Sequence, residues 1–488
     1  MALGTPETVR RRPGPAALRR RRLAAALAAT VVVVALVVAV SGGGPVAGPP
    51  LPGIGRPAKA GDPFAYVASR QSSFEARATA GTATVVFQKS PGGVVATAAR
   101  VARYRNMIDA AARGSGIDPN IVEGIVFLES AGRPDVLAGN DAASAAGLTQ
   151  ILAQTGTSLL GMHIDLARSR TLTAQIDAAA NAGDTVGIHR LQARRAKIDD
   201  RFDPRKAIAA TVRYLELAKQ SFGGRPDLAA ESYHMGIGNL HHVLSDYNGG
   251  AAVPYAQLYF DTAFDRHRSA YDLLTGFGDD SSLYYWRVLG SVATMRLYRT
   301  EPSALARLAS LETSGSSTEF VLHPPDATPS YGDPSALSAA YARRELLPLP
   351  ANAFALGLQY GVGMGSYASR VGAPVALYRG LRPTALDMLI ELAFRVRALS
   401  GDKRSLLTVA STVVDMRYQR FAQLGDPSPA SGWSFQLART YSSRAQALAL
   451  QAMLDRLQAL NLIAWSREGG TIDVTVAADA SKALVDGP

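Results

Sequence analysis

Residues 117–134, IDPNIVEGIVFLESAGRP, carry the strongest chemical signal in the chain. Asp118 is a good helix N-cap and Pro119 suits the first helical position. Ala131-Gly132 followed by Pro134 supplies a stop, so one helix is predicted between them. Ile121, Val122, Ile125, Val126 and Leu128 make that helix almost wholly apolar. Glu129 nevertheless sits in its last turn, three and seven residues after Val126 and Val122 and therefore on their side. A carboxyl group held there loses water, which disfavours the anion and raises the pKa toward the value a general acid needs near neutral pH. The plainer reading makes Glu129 a helix-end residue that faces water or pairs with Arg133. Glu123, six residues earlier and about 120° round the helix, is placed on the polar side.

The rest of the composition narrows the chemistry further. The 488 residues contain no Cys, which excludes disulfides, thiol catalysis, Cys-ligated zinc and a lipoprotein anchor. A metal would need His and carboxylates, and the seven His stand at positions 163, 189, 234, 241, 242, 267 and 323. The net charge is +11, but residues 1–22 hold seven Arg and one Glu, so +6 lies there and only +5 in the remainder. A body this mildly basic argues against a nucleic-acid partner.

Two later segments complete a pattern with Glu129-Ser130. They are AASAAGLTQIL (142–152) and AAESYHMGIGN (229–239), the second preceded by FDPRKAIAATVRYLELAKQSFGGRPDLA (202–229). Together the three resemble the soluble lytic transglycosylase family, related in fold to goose-type lysozyme, whose marks are Glu-Ser, Gly-Leu-Met-Gln-Ile and Ala-Tyr-Asn-x-Gly in this order. The resemblance covers roughly residues 96–298. It implies that Glu129 is the sole catalytic acid/base and that Ser130 supports its carboxyl group. It also implies that Gly147, Leu148, Gln150 and Ile151 shape a glycan cleft and that Tyr233 and Gly236 belong to the third motif. In SSLYYWRVL (281–289), Tyr284 stands at what looks like the family's later Arg-x-Tyr-Val position; packing is its alternative role. Two residues depart from the pattern: Thr149 replaces Met and His234 replaces Asn, and the second puts contacts with the sugar's N-acetyl group in question. His234 as a new base is a further alternative.

The implied reaction is cleavage of peptidoglycan between N-acetylmuramic acid and N-acetylglucosamine. Protonated Glu129 protonates the glycosidic oxygen, the substrate's own N-acetyl carbonyl supports the cation, and Glu129 then takes a proton from the muramic acid 6-hydroxyl. The product is a 1,6-anhydro sugar, and no cofactor or metal is needed. A muramidase-type hydrolase would require a second placed acid, for which Asp135, Asp141 and Glu123 are near in sequence. A non-catalytic scaffold that binds cell wall is the alternative from another class, and it has no use for a buried carboxyl group.

Residues 158–200 exceed a minimal domain of that family. They carry Arg168, Arg170, Arg190, Arg194, Arg195 and Lys197 in an amphipathic helical pattern. That pattern reads as a solvated face, or as an insertion beside the cleft that binds acidic stem peptides or a partner helix. Further on, YRGLRPTALDMLIELAFRVRALSG (378–401), LLTVASTVVDMRYQR (406–420), GWSFQL (432–437) and QAMLDRLQALNLIAWSREGGTIDVTV (451–476) together resemble zinc-dependent D-alanyl-D-alanine peptidases. The family's metal and arginine slots hold Val414, Pro429, Gln436 and Asp473. With no His after His323 and no Cys, a His-type zinc site cannot be built there. The region is read as a degenerate peptidase, either a peptidoglycan-binding module or a structural domain packed on the first.

The elements that must hold these residues follow from patterning. Residues 1–22 form a basic tail, and 23–40 are an uncharged, Val-rich run long enough to cross a bilayer as one transmembrane helix. By the positive-inside rule the tail stays cytoplasmic, which places the later domains outside, on the periplasmic or extracytoplasmic side of the inner membrane. A cleaved signal peptide is the other reading of the same run. Residues 41–63 are a Gly/Pro linker, 64–311 the helical catalytic domain, 312–371 a linker region and 372–488 the degenerate peptidase-like domain. The expected fold class is mainly α, lysozyme-like, plus a C-terminal α+β domain, behind a single N-terminal membrane span. The expected partners are peptidoglycan glycan strands and the membrane, with no protein partner identifiable.

Overall fold

Helix boundaries fall where the local chemistry places them. Asp118 accepts the Asn120 amide and Pro119 occupies the first helical position, so the predicted helix runs Pro119–Ser130 and ends on Ala131 in the left-handed conformation. The same Asp-Pro start opens Pro204–Ser221, where Asp203 accepts two amides. The computed structural model describes residues 62–277, 281–315, 317–424 and 428–486, which belong to one compact unit. The basic tail, the 23–40 span and nearly all of the 41–63 linker lie outside the described residues. Among the described residues no helix is long and apolar enough to cross a membrane.

The described residues are mainly helical from 62 to 342 and α+β beyond that. The helices used below are α1 (Gln71–Thr82), α2 (Pro119–Ser130), α3 (Leu166–Asn181), α4 (Thr185–Ala196), α5 (Pro204–Ser221), α6 (Pro226–Met235), α7 (Ile237–Asn248), α8 (Tyr284–Thr300), α9 (Pro383–Ser400) and α10 (Arg444–Ala459). A five-stranded sheet contains β1 (Leu358–Tyr360), β2 (Leu407–Ser411), β3 (Ser434–Ala438), β4 (Ile463–Glu468) and β5 (Thr471–Val476), in spatial order β1-β2-β3-β5-β4. β1 runs parallel to β2 and the other pairs are antiparallel. Alternation along β3 and β5 buries Phe435, Leu437, Ile472, Val474 and Val476, whose apolar neighbours include Leu386, Leu389 and Leu454 from α9 and α10.

Residues 312–371, expected as a linker, are folded into this body. They supply the short helices Ser317–Leu322 and Pro334–Ala342 and the edge strand β1. Their polar, Pro-rich composition hides a few anchors that decide the matter. The His323 ring stacks on Trp433 at 4.6 Å and its Nε2–H donates to the Val476 carbonyl at 2.7 Å. Tyr331 and Leu337 join Val413, Val414 and Tyr418 in a small second core.

The larger core is continuous from Phe64 to Leu484, so the helical region and the sheet region are not separated by solvent. Gly81 of α1 shows how close they come: a Cβ there would lie 2.4 Å from the Gln458 carbonyl oxygen of α10. Arg456 of α10 pairs with Asp62 at 3.0 Å and donates to the Phe260 carbonyl at 3.1 Å. An arginine removed from water in this way is stable only because its donors meet a carboxylate and backbone carbonyls.

Candidate active site

Glu129 lies in the last turn of α2, and α8 crosses α2 closely because Gly124 has no side chain. A Cβ at Gly124 would stand 2.9 Å from the Val288 carbonyl oxygen. The close crossing delivers Tyr284, the first residue of α8, to the Glu129 carboxyl group. The Tyr284 hydroxyl donates to Glu129 Oε1 at 2.6 Å. Glu129 keeps a partial opening to the cleft while protein encloses its other sides. Burial pushes its pKa up to about 7, with the Tyr284 hydrogen bond opposing that rise by favouring the anion. No bond joins Glu129 to Arg133, whose Nε donates instead to the Ser130 carbonyl.

Glu123 corrects the expectation that it faces solvent. Its side chain is only 1% exposed and is held between Arg105, at 3.2 Å, and Arg299. Arg105 comes from the helix Arg105–Ala112 and Arg299 from α8, so both flanks of α2 are covered by protein. Two acids on one helix therefore meet opposite surroundings. Glu123 is matched by two guanidinium groups, whereas Glu129 faces a hydroxyl and an opening.

The loop after α2 builds one cleft wall. Gly147 adopts φ 79°, and a Cβ on it would overlap the Arg201 carbonyl oxygen at 1.7 Å. Only glycine fits both the left-handed backbone and that approach. Gly147 and Leu148 are buried behind the wall rather than lining it. Gln150 and Ile151 do line it, Gln150 being fixed by its amide donating to the Gly147 carbonyl at 2.8 Å and the Val136 carbonyl at 3.1 Å. The expected support of the Glu129 carboxyl by Ser130 is not what the hydroxyl does: it donates to the Val126 carbonyl one turn back, at 3.2 Å. Buried at a helix end, that hydroxyl is satisfied by its own backbone.

The opposite wall is the α6–α7 junction. Tyr233 donates to the Thr149 carbonyl at 2.8 Å and so ties the two walls together. Its ring stacks with Tyr284 at 6.4 Å, and His234 stacks on the other part of the same platform at 5.1 Å and 7°. Gly236, with φ 90° and ψ 141°, lets the chain turn directly from α6 into α7. Tyr233, His234 and Gly236 line a cavity of about 570 Å³ together with Glu129, Gln150 and Ile151. Tyr284 stands behind the carboxyl group rather than in the open cavity.

Sequence motifs missed two contributors. Tyr214 lines the cavity and donates to the Ser232 carbonyl at 2.6 Å. Arg201, fully buried, pairs with Asp199 at 2.7 Å and donates to the carbonyls of Ala142, at 2.7 Å, and Ser144, at 2.8 Å. Neither stands in a recognisable motif. A run of three Asp around one Arg (199–203, DDRFD) was the only hint of a buried ion pair. Among the described residues no group of His, Asp and Glu is arranged to hold a metal ion.

Glu129 is the only carboxylate among the described residues that line the cavity. The arrangement can thus deliver one proton from one acid whose conjugate base is held by a tyrosine hydroxyl, beside an aromatic wall suited to a sugar face. No curated protein matches the chain. Residues 106–252, which include Glu129, the 147–151 loop and the Tyr233–Gly236 turn, match the family described as Transglycosylase SLT domain, and this supports a lytic transglycosylase acting on peptidoglycan.

Proposed function

We propose that the chain cleaves the bond between N-acetylmuramic acid and N-acetylglucosamine with Glu129 as its single acid/base, leaving 1,6-anhydro ends. The observation that carries this reading is the Tyr284–Glu129 pair on the wall of the cavity, with the carboxyl pKa raised to about 7. Near neutral pH a large share of Glu129 is protonated and able to donate to the leaving oxygen. Tyr284 occupies Oε1, so Oε2 is the oxygen available to substrate. The hydroxyl then stabilises the carboxylate until it accepts the proton of the 6-hydroxyl.

Hydrolysis by two carboxylates has less support. Asp135 pairs with Arg195, Asp141 pairs with Arg170, and Glu123 is neutralised inside the protein. The transmembrane reading of residues 23–40 places this activity outside the cytoplasmic membrane, where its polymer lies. For the C-terminal region we favour a docked structural domain derived from a peptidase-like ancestor. The slot between β3 and β5, lined by Pro429, Gln436 and Asp473, measures about 10 Å³. That holds at most one water and no peptide.

The decisive experiment incubates the full chain with isolated sacculi and weighs the released fragments. Anhydro ends are expected. Reducing ends would replace this reading with a muramidase, and release of no fragments would leave a scaffold.

A further inference from the structure

The hairpin formed by α3 and α4 is fixed to the cleft wall at three places. Arg170 pairs with Asp141 at 3.1 Å. Arg195 reaches Asp135 Oδ1 at 3.5 Å while its guanidinium lies 3.6 Å over the Phe202 ring. Ser169 donates to Asp199 at 2.7 Å, and Asp199 in turn holds Arg201, which binds the 142–144 carbonyls. Ala138 and Ala145, between and beside these anchor points, line the Glu129 cavity. The hairpin is therefore tied to that wall.

Its register divides α4 into two faces. Ile188, Leu191 and Arg195 recur at i, i+3 and i+7 and are turned inward, wholly or in part. Arg190, Arg194 and Lys197 recur at i, i+4 and i+7 and are all exposed. Of the carboxylates nearby, Asp165 and Asp184 cap the first turns of α3 and α4, Asp200 takes Lys206 at 2.7 Å, and Asp177 of α3 lies near Arg195. Among the described residues no acidic side chain pairs with Arg190, Arg194 or Lys197, so a row of three cations about 10 Å long is left to solvent on the exposed face of the hairpin.

We propose that this row is a docking surface for the carboxylate-bearing peptides that substitute the glycan strand in the cleft. The proposal rests on the transglycosylase reading and deepens it by assigning recognition of the peptide to α4. Charge complementarity selects the occupant: the sugar backbone is matched by the aromatic wall, whereas free carboxylates on a peptide match a cation row. Single exposed ion pairs are weak and salt-screened, so the row acts by summation.

The test uses the full chain carrying Glu129→Gln, which separates binding from turnover, with and without Arg190→Glu/Arg194→Glu/Lys197→Glu. Retention is measured on intact sacculi and on glycan strands stripped of peptide by an amidase, with a thermal melt to verify folding. Charge reversal is expected to weaken retention on intact sacculi about tenfold at low salt, the difference shrinking at about 0.5 M salt, with less than twofold change on stripped strands. Equal loss on both polymers, or no loss on either, overturns the proposal. Fragment release by the wild-type chain is followed in parallel. Release with charge-insensitive retention sinks the docking surface alone; charge-dependent retention without release sinks the transglycosylase reading alone.

Discussion

The cleft at Glu129 and the slot at Asp473 are two hollows in one molecule that each have a carboxyl group in their lining, and they are finished in opposite ways. Around Glu129 the walls are a helix end, a loop with left-handed residues at Gly147 and Gln150, and a Gly236 turn. Such non-repeating backbone holds the walls apart and leaves about 570 Å³ between them. Around Asp473 the walls are adjacent strands, with Gln436 directly opposite Asp473 in the ladder. Strand spacing of about 4.8 Å sets their separation, and the side chains fill it. At these two places the carboxyl group is open to a cavity where irregular backbone keeps its neighbours away and closed in where paired strands do not.

The sharpest way to break that contrast is Glu129→Gln, a nearly isosteric change. Release of fragments from sacculi should fall by about 10²–10⁴-fold while the melting curve stays in place. Wild-type activity in this variant would move the acid elsewhere. Gly81→Val attacks the common core of the two regions. Overpacking against the Gln458 carbonyl should cost about 3 kcal/mol and lower a single melting transition. Two separate transitions, with the helical one unmoved, would show that the regions are independent.

Tyr284→Phe sharpens the account of the cleft itself. Loss of the hydroxyl removes the interaction that lowers the Glu129 pKa, so the alkaline limb of the pH–rate profile should move upward from about 7 and the maximal rate should fall about tenfold. A profile that does not move would mean the hydroxyl does not control this proton.

Glu312 gives a smaller effect with the same physics and no open cleft. It is buried with Thr84 donating to it, and burial raises its pKa from 4.5 to about 8. A raised carboxyl pKa contributes stability that is full below about 4.5 and lost as pH climbs through about 8. Glu312→Gln should flatten that loss and raise stability by about 1 kcal/mol at pH 9, read by denaturant titration at several pH values. The smallest effect belongs to the slot. Asp473→Asn, alone or with a chelator, should leave fragment release within about twofold of wild type; a larger drop would show that the sheet region takes part in turnover.

Much of the cleft is legible in the sequence. The cap and stop around residues 118–134 are local chemistry, and the helix follows them. The order of Glu129, the 147–151 loop and Tyr233–Gly236 also survives as one wall facing another. What misled was inference from a single helix face. Glu123 looks solvent-facing on a wheel because the wheel contains no Arg105 or Arg299. Ser130 looks like a partner for Glu129 because the two are neighbours, yet its hydroxyl turns to its own helix. The 312–371 stretch looks like a linker because its anchors, His323 and Tyr331, are scattered among Pro, Ser and Gly.

The amino-acid order by itself determined the helix ends and the apolar setting of Glu129, because capping and periodicity act within a few residues. The tertiary structure alone decided which tyrosine meets that carboxyl group, that Glu123 is neutralised, and that a single core joins residues 64 and 484. Each of these depends on groups that are distant along the chain, 18 residues apart for Arg105 and Glu123, 155 for Tyr284 and Glu129, and 176 for Arg299 and Glu123. Only packing sets how closely such groups approach and how much water remains between them.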